Sequence, residues 1–194
     1  MTDTVQSKKK RKPAFESYTK YALSRKEYQL LLSKCNQFED EAMLRIAVEL
    51  GLRRYDLSRI EISNIDLDNM KLIFYEHKKD RNRTLPLSPE VVSFLRKYLS
   101  TLPKSQKHLF SWGKSEHGDS TAWRRLNRLC DRAGIPQRPF HALRGTCYKF
   151  RKAEGWTIEQ AAYLLGDDVR TAMLHYGKAT DSEIAELIQG GETK

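Results

Sequence analysis

His141-Ala142-Leu143-Arg144 sets a histidine and an arginine three residues apart, and a tyrosine follows in His175-Tyr176-Gly177. On a helix, residues at that spacing share one face. Upstream, Gly51-Leu52-Arg53-Arg54 supplies another arginine, and Lys78-Lys79 falls at the tip of an expected hairpin. Two arginines, a lysine, a histidine and a late tyrosine are the groups needed to hold a phosphodiester and attack it covalently. Guanidinium forks suit the nonbridging oxygens, where charge gathers in the transition state. A phenol oxygen that attacks phosphorus stores the bond energy in a covalent link. No metal or other cofactor is needed, and the sequence offers neither a metal-ligand cluster nor a glycine-rich phosphate loop.

The elements that must position these residues read as mostly helical. Ser24-Arg25-Lys26-Glu27 is a capping box that opens a helix. A second helix is expected from Glu39 to Leu50, ended by Gly51, and a short helical segment from Tyr55 to Glu61. Lys71–Tyr75 and Arg83–Leu87 read as paired strands, with Pro86 arguing for a sheet edge. Ser88-Pro89 starts a helix as N-cap and first-turn proline. Residues 101–120 read as a loop, followed by a helix over Thr121–Ala133 and another that holds His141 and Arg144 and runs to about Ala153. Thr157-Ile158-Glu159-Gln160 is a further capping box, for a helix to Leu165; a short helix over Val169–Met173 then leads into Tyr176. Thr180-Asp181-Ser182-Glu183 caps a last amphipathic helix with Ile184, Leu187 and Ile188. The expected class is α+β, mostly α-helical, with one small antiparallel sheet.

The chain has 194 residues, enough for one domain with a real core. Lysine and arginine number 35 against 25 acidic residues, a net charge of +10 that favours a polyanionic partner. Residues 1–20 form a basic arm, expected to be disordered alone, in which Lys8, Lys9, Lys10, Arg11 and Lys12 are the candidate DNA-binding residues. Cys35, Cys130 and Cys147 form no CxxC pair, which leaves a zinc site without support and suits a reducing compartment. No apolar run approaches the length of a membrane span. Cytoplasmic localisation, at the nucleoid or on a viral or mobile element, is the expectation.

In this order and spacing the motifs resemble the catalytic domain of the tyrosine recombinase (phage integrase) family. The resemblance covers roughly residues 20–190 and implies a basic arm over 1–20 and a catalytic domain with a C-terminal helix over 21–194. Arg53 follows a Gly-Leu pair with an acidic residue, Asp56, three positions on, where a local ion pair is also expected. Lys78 lies eight residues before Pro86, as the family's hairpin lysine does, and Lys79 is the alternative. His141 and Arg144 match its His-x-x-Arg, and Tyr176 matches its nucleophile. The family chemistry then implies a 3′-phosphotyrosine and a free 5′-hydroxyl. Lys78 would protonate the leaving oxygen, and His141 would transfer a proton or hydrogen-bond the phosphate. Double-stranded DNA is the implied partner, bound by a homo-oligomer, a tetramer on DNA, with no membrane association.

Leu164-Leu165-Gly166-Asp167 departs from the family pattern. Most relatives place a histidine, sometimes a tryptophan, where Asp167 stands. A carboxylate there repels a phosphate unless it turns toward Arg144 or Arg170. From the resemblance, Asp167→His would keep or increase cleavage. The rival readings are a type IB topoisomerase-like enzyme and a catalytically weak DNA-binding regulator that retains the fold. Relatives usually carry a separate helical domain ahead of the catalytic one, so the chain reads as an excised catalytic domain or a minimal recombinase.

Overall fold

The computed structural model describes residues 18–176 except 114 and 116. The basic run Lys8–Lys12 and the expected helix from Thr180 lie outside the described residues.

Eight α-helices and three strands make up the described residues: α1 (Arg25–Ser33), α2 (Phe38–Leu50), α3 (Arg54–Ser58), β1 (Ile65–Asp66), β2 (Lys71–Glu76), β3 (Arg81–Pro86), α4 (Pro89–Ser100), α5 (Gly118–Ala133), α6 (His141–Ala153), α7 (Ile158–Leu165) and α8 (Val169–Tyr176). The expected class, mostly helical with one small antiparallel sheet, is borne out. Both capping boxes form, with Ser24 and Thr157 each accepting from the backbone three residues on and the Glu27 and Gln160 side chains reaching back. Pro89 begins α4 behind its N-cap Ser88. Tyr18–Tyr21, in part within the segment expected to be an arm, form a 3-10 turn packed on α6.

α2 lies at the centre, against α4, α5 and α6. Its Ala42, Met43, Leu44, Ile46, Ala47 and Leu50 are all essentially inaccessible to solvent, which explains why a helix this apolar carries its charge mainly in the first turn. A long-range bond helps pin the entry chain to α6, the Leu23 amide donating to Thr146 Oγ1 at 2.8 Å.

The sheet has the order β1-β2-β3, all antiparallel, so Pro86 does sit on an edge strand. The two-residue β1 was not expected; it is too short to carry a periodic signal. β2 alternates strictly, with Leu72, Phe74 and Glu76 inward and Lys71, Ile73 and Tyr75 outward. The last inward residue is therefore a buried carboxylate at the mouth of the hairpin. Between the strands, His77–Lys79 make a single 3-10 turn closed by Asp80 at φ +50°.

Candidate active site

Arg144 is placed by α6, one turn after His141 on the same face, and its side chain is only 3% exposed. Its Nη1 donates to the Gly51 carbonyl at 2.6 Å and its Nη2 to the Leu165 carbonyl at 2.6 Å. These are the carbonyls at the C-terminal ends of α2 and α7, where helices leave acceptors unmatched and carry partial negative charge. One guanidinium thus closes two helices. Nε donates to the Tyr176 hydroxyl at 3.1 Å, and Nη2 also reaches Asp167 Oδ2 at 2.7 Å. Burial opposes the charge of Arg144, but Tyr176 and Asp167 beside it outweigh that and raise its pKa.

The end of α7 explains where Asp167 stands. Gly166 takes a left-handed conformation at φ +69°, its amide donates to Tyr163 O, and the Asp167 amide donates to Ala162 O. This is the paired closure of a Schellman motif. A Cβ on Gly166 would lie 2.7 Å from Arg83 Nη1 and 2.7 Å from Glu76 Oε1, so the torsion favours glycine and any side chain here would push these two side-chain ends aside. Arg83 takes the two preceding carbonyls, donating to Leu164 O at 3.2 Å and Tyr163 O at 2.5 Å.

Arg53 is the N-cap of α3, with extended backbone (φ −68°, ψ 146°). That geometry turns it away from its own helix. The expected local ion pair with Asp56 does not form. Arg53 instead donates to Glu76 Oε1 at 2.5 Å and to Asp167 Oδ1 at 2.9 Å. Asp167 therefore spans both arginines, one oxygen to each. It turns toward Arg144, and toward Arg53 rather than Arg170. Burial pushes the Glu76 carboxyl up, but hydrogen bonds from Arg53 and Arg81 outweigh it and hold the group below the usual range.

His141 is pushed down to about 4, first by burial and then by the charge of Arg144, with Asp167 opposing. Its imidazole is neutral at neutral pH. Tyr176 lies on α8, is 2% exposed, and stacks on Tyr148 with ring centroids 4.9 Å apart. Arg53, His141, Arg144, Asp167 and Tyr176 are thus gathered in one place. Lys78 is different: it stands exposed on the turn after β2, and among the described residues no hydrogen bond or ion pair ties its side chain. The neighbouring Lys79 is near enough to Asp168 to help lower its carboxyl, a smaller influence than the Thr171 hydrogen bonds.

Sequence reasoning missed Glu76, Arg83 and His77. Glu76 had a usable signal, the charged third member of an otherwise apolar inward row. Arg83 and His77 had none, because their partners lie on other elements.

A phage integrase family profile matches residues 22–183. The tyrosine recombinase XerA of Saccharolobus solfataricus is 28% identical over 155 residues, covering 79% of this chain and 51% of that protein. The chain thus spans about half the length of that relative. A crystal structure of XerA recombinase superimposes with a TM-score of 0.74 at 23% identity, over 89% of this chain and 64% of that one. The catalytic domain of bacteriophage HP1 integrase gives 0.61 at 23% identity, over 87% of this chain and 93% of that domain. The order of the matched residues, the fold and the extent of the profile lead to one conclusion: the chain belongs to the phage integrase family.

Proposed function

We propose that this chain is a site-specific DNA strand transferase that cleaves and rejoins double-stranded DNA through a 3′-phosphotyrosine. The observation that carries the reading is the buried Arg144, whose Nε bonds the Tyr176 hydroxyl while Arg53 converges on the same carboxylate. A phosphate entering beside Asp167 meets two forked guanidiniums and the attacking oxygen together. Tyr176 Oη forms the new bond to phosphorus as the bond from phosphorus to the 5′-oxygen breaks. Lys78 gives that oxygen its proton, with Lys79 the alternative. Neutral His141 takes the phenol proton or holds a nonbridging oxygen. Because Asp167 shares both arginines, it positions them before DNA arrives.

Recombination breaks four strands, one nucleophile for each, so the working form is a tetramer on DNA. The basic run Lys8–Lys12 adds phosphate contacts. The expected setting is the cytoplasm, on chromosomal or mobile-element DNA; no helix among the described residues is long and apolar enough to cross a membrane.

The test uses a pool of nicked duplexes with random sequence around the nick, so that cleavage releases a short fragment and strands the enzyme on DNA. Wild-type protein should yield a detergent-stable adduct, and sequencing the trapped DNA gives the target. Tyr176→Phe should retain the gel shift and lose the adduct. An adduct of equal yield in that variant would move the nucleophile elsewhere, to the exposed Tyr163 first.

A further inference from the structure

His77, first residue of the turn and one before Lys78, bonds the hairpin to α3. Its backbone amide donates to Asp56 Oδ1 at 3.2 Å, and its Nδ1 lies 3.1 Å from the same oxygen. A carboxylate only accepts, so Nδ1 carries the hydrogen. Asp56 is 3% exposed, and among the described residues both hydrogen bonds to its carboxylate come from His77. The imidazole is also held edge-on by Tyr55, at 4.6 Å between ring centres, and by Tyr75, at 4.9 Å. Beyond this point the hydrogen bonds of the turn among the described residues stay within the hairpin, and Lys79 lies near Asp168. The Asp80 amide donates to His77 O, and the Tyr75 hydroxyl bonds the Asp80 carboxylate.

Asp56 belongs to α3, the helix whose N-cap is Arg53. Glu76 bonds Arg53, and the next residue, His77, bonds Asp56. Two consecutive hairpin residues thus grip two residues of α3, which fixes the turn in register with the arginine. Consecutive Cα atoms are about 3.8 Å apart, so a shift at His77 passes almost undiminished to Lys78. We propose that His77 is a positioning residue: latched to Asp56, it holds the Lys78 turn where the lysine can protonate the leaving 5′-oxygen. The inference rests on the reading of Lys78 as the proton donor.

The experiment is single-turnover cleavage of the nicked duplex recovered from the random pool, in two versions. One carries the ordinary bridging 5′-oxygen and the other a bridging 5′-sulfur, which leaves as a thiolate without a proton donor. Lys78→Ala should lose about a hundredfold or more on oxygen, the general-acid range, and recover on sulfur. His77→Ala should lose about tenfold on oxygen, since a displacement of about 1 Å is enough for such losses, and cleave sulfur within about threefold of wild type. His77→Asn keeps a donor toward Asp56 without a titratable ring, and should cleave the oxygen substrate nearly as wild type does. The double variant His77→Ala/Lys78→Ala should be no slower than Lys78→Ala.

If Lys78→Ala is not recovered by sulfur, the lysine reading fails and the latch with it. If Lys78→Ala is recovered while His77→Ala stays equally slow on both substrates, or is normal on both, only the latch is overturned. His77→Asn as slow as His77→Ala, with recovery on sulfur, would make the imidazole itself the proton donor and also overturn it.

Discussion

Arg144 and Lys78 contribute charges to the same proposed reaction from opposite kinds of surroundings. Arg144 is enclosed and committed, with two helix-end carbonyls, a carboxylate and the tyrosine hydroxyl arrayed around one guanidinium. Lys78 is solvated and held only through its neighbour. The difference follows the chemistry. Charge that builds on nonbridging oxygens is best met by donors that need no reorganisation. A proton donor must approach, release its proton and later take it back, and a short turn on an anchored base permits that movement.

The comparison can be broken most severely at Arg144. Arg144→Ala should slow adduct formation by at least about a hundredfold, the scale for losing one preorganised donor. It should also lower stability by about 3 kcal/mol or more, because the Asp167 partnership and two helix-end carbonyls lose their donor. Lys78→Ala should leave the urea midpoint unchanged. Equal stability of the two variants would erase the distinction between a structural and a solvated cation.

Gly166→Ala attacks the same enclosed side through the backbone. Left-handed torsion should cost about 2 kcal/mol, and the Arg83 and Glu76 side-chain ends must shift aside. A urea titration checks it, and a loss below half that value would mean the arginine cluster yields easily.

Asp167→His now has the opposite expectation from the one the family pattern suggests. The carboxylate bonds Arg53 and Arg144 at once, a geometry histidine does not reproduce. Cleavage by this variant should fall by about tenfold or more through misplacement of both arginines. Single-turnover rates at one pH decide it, and an undiminished rate would show the bridge to be dispensable.

An effect confined to acid pH concerns His141. Its folded pKa of about 4 lies below the ordinary value of 6.5, so the unfolded chain binds the proton first as pH falls. The stability it contributes is fully present above pH 6.5 and is lost as pH drops toward about 4. His141→Gln should flatten that part of the stability profile. An unchanged slope would place the titration elsewhere.

What was legible in the sequence was local. Ser24 with Glu27, Thr157 with Gln160, Ser88 with Pro89, and Gly51 as a helix stop all act within a few residues, so pattern and outcome coincide. α6 ends where the sequence suggested, near Ala153, and α8 ran three residues past its expected end to include Tyr176. The residues of the proposed reaction were legible through their order along the chain, but their partners were not. Arg53 seemed paired with Asp56 because they are three apart. The extended backbone at the N-cap of α3 separates them and delivers one to Glu76 and the other to His77. Asp167 read as an intruder, because nothing in its neighbourhood along the chain shows that two arginines from elsewhere converge on it.

That convergence bears on how DNA is met from a distance. Arg53, Arg81, Arg83 and Arg144 share only two carboxylates, Glu76 and Asp167, so the cluster keeps a formal charge of +2. The other eight of the chain's ten surplus positive charges reside elsewhere. Long-range attraction, felt out to a Debye length of about 8 Å at physiological salt, therefore originates mainly at the periphery. The paired centre acts chiefly on contact. Encounter and bond exchange are governed by largely separate sets of charges: added salt should slow the first more than the rate within the bound complex.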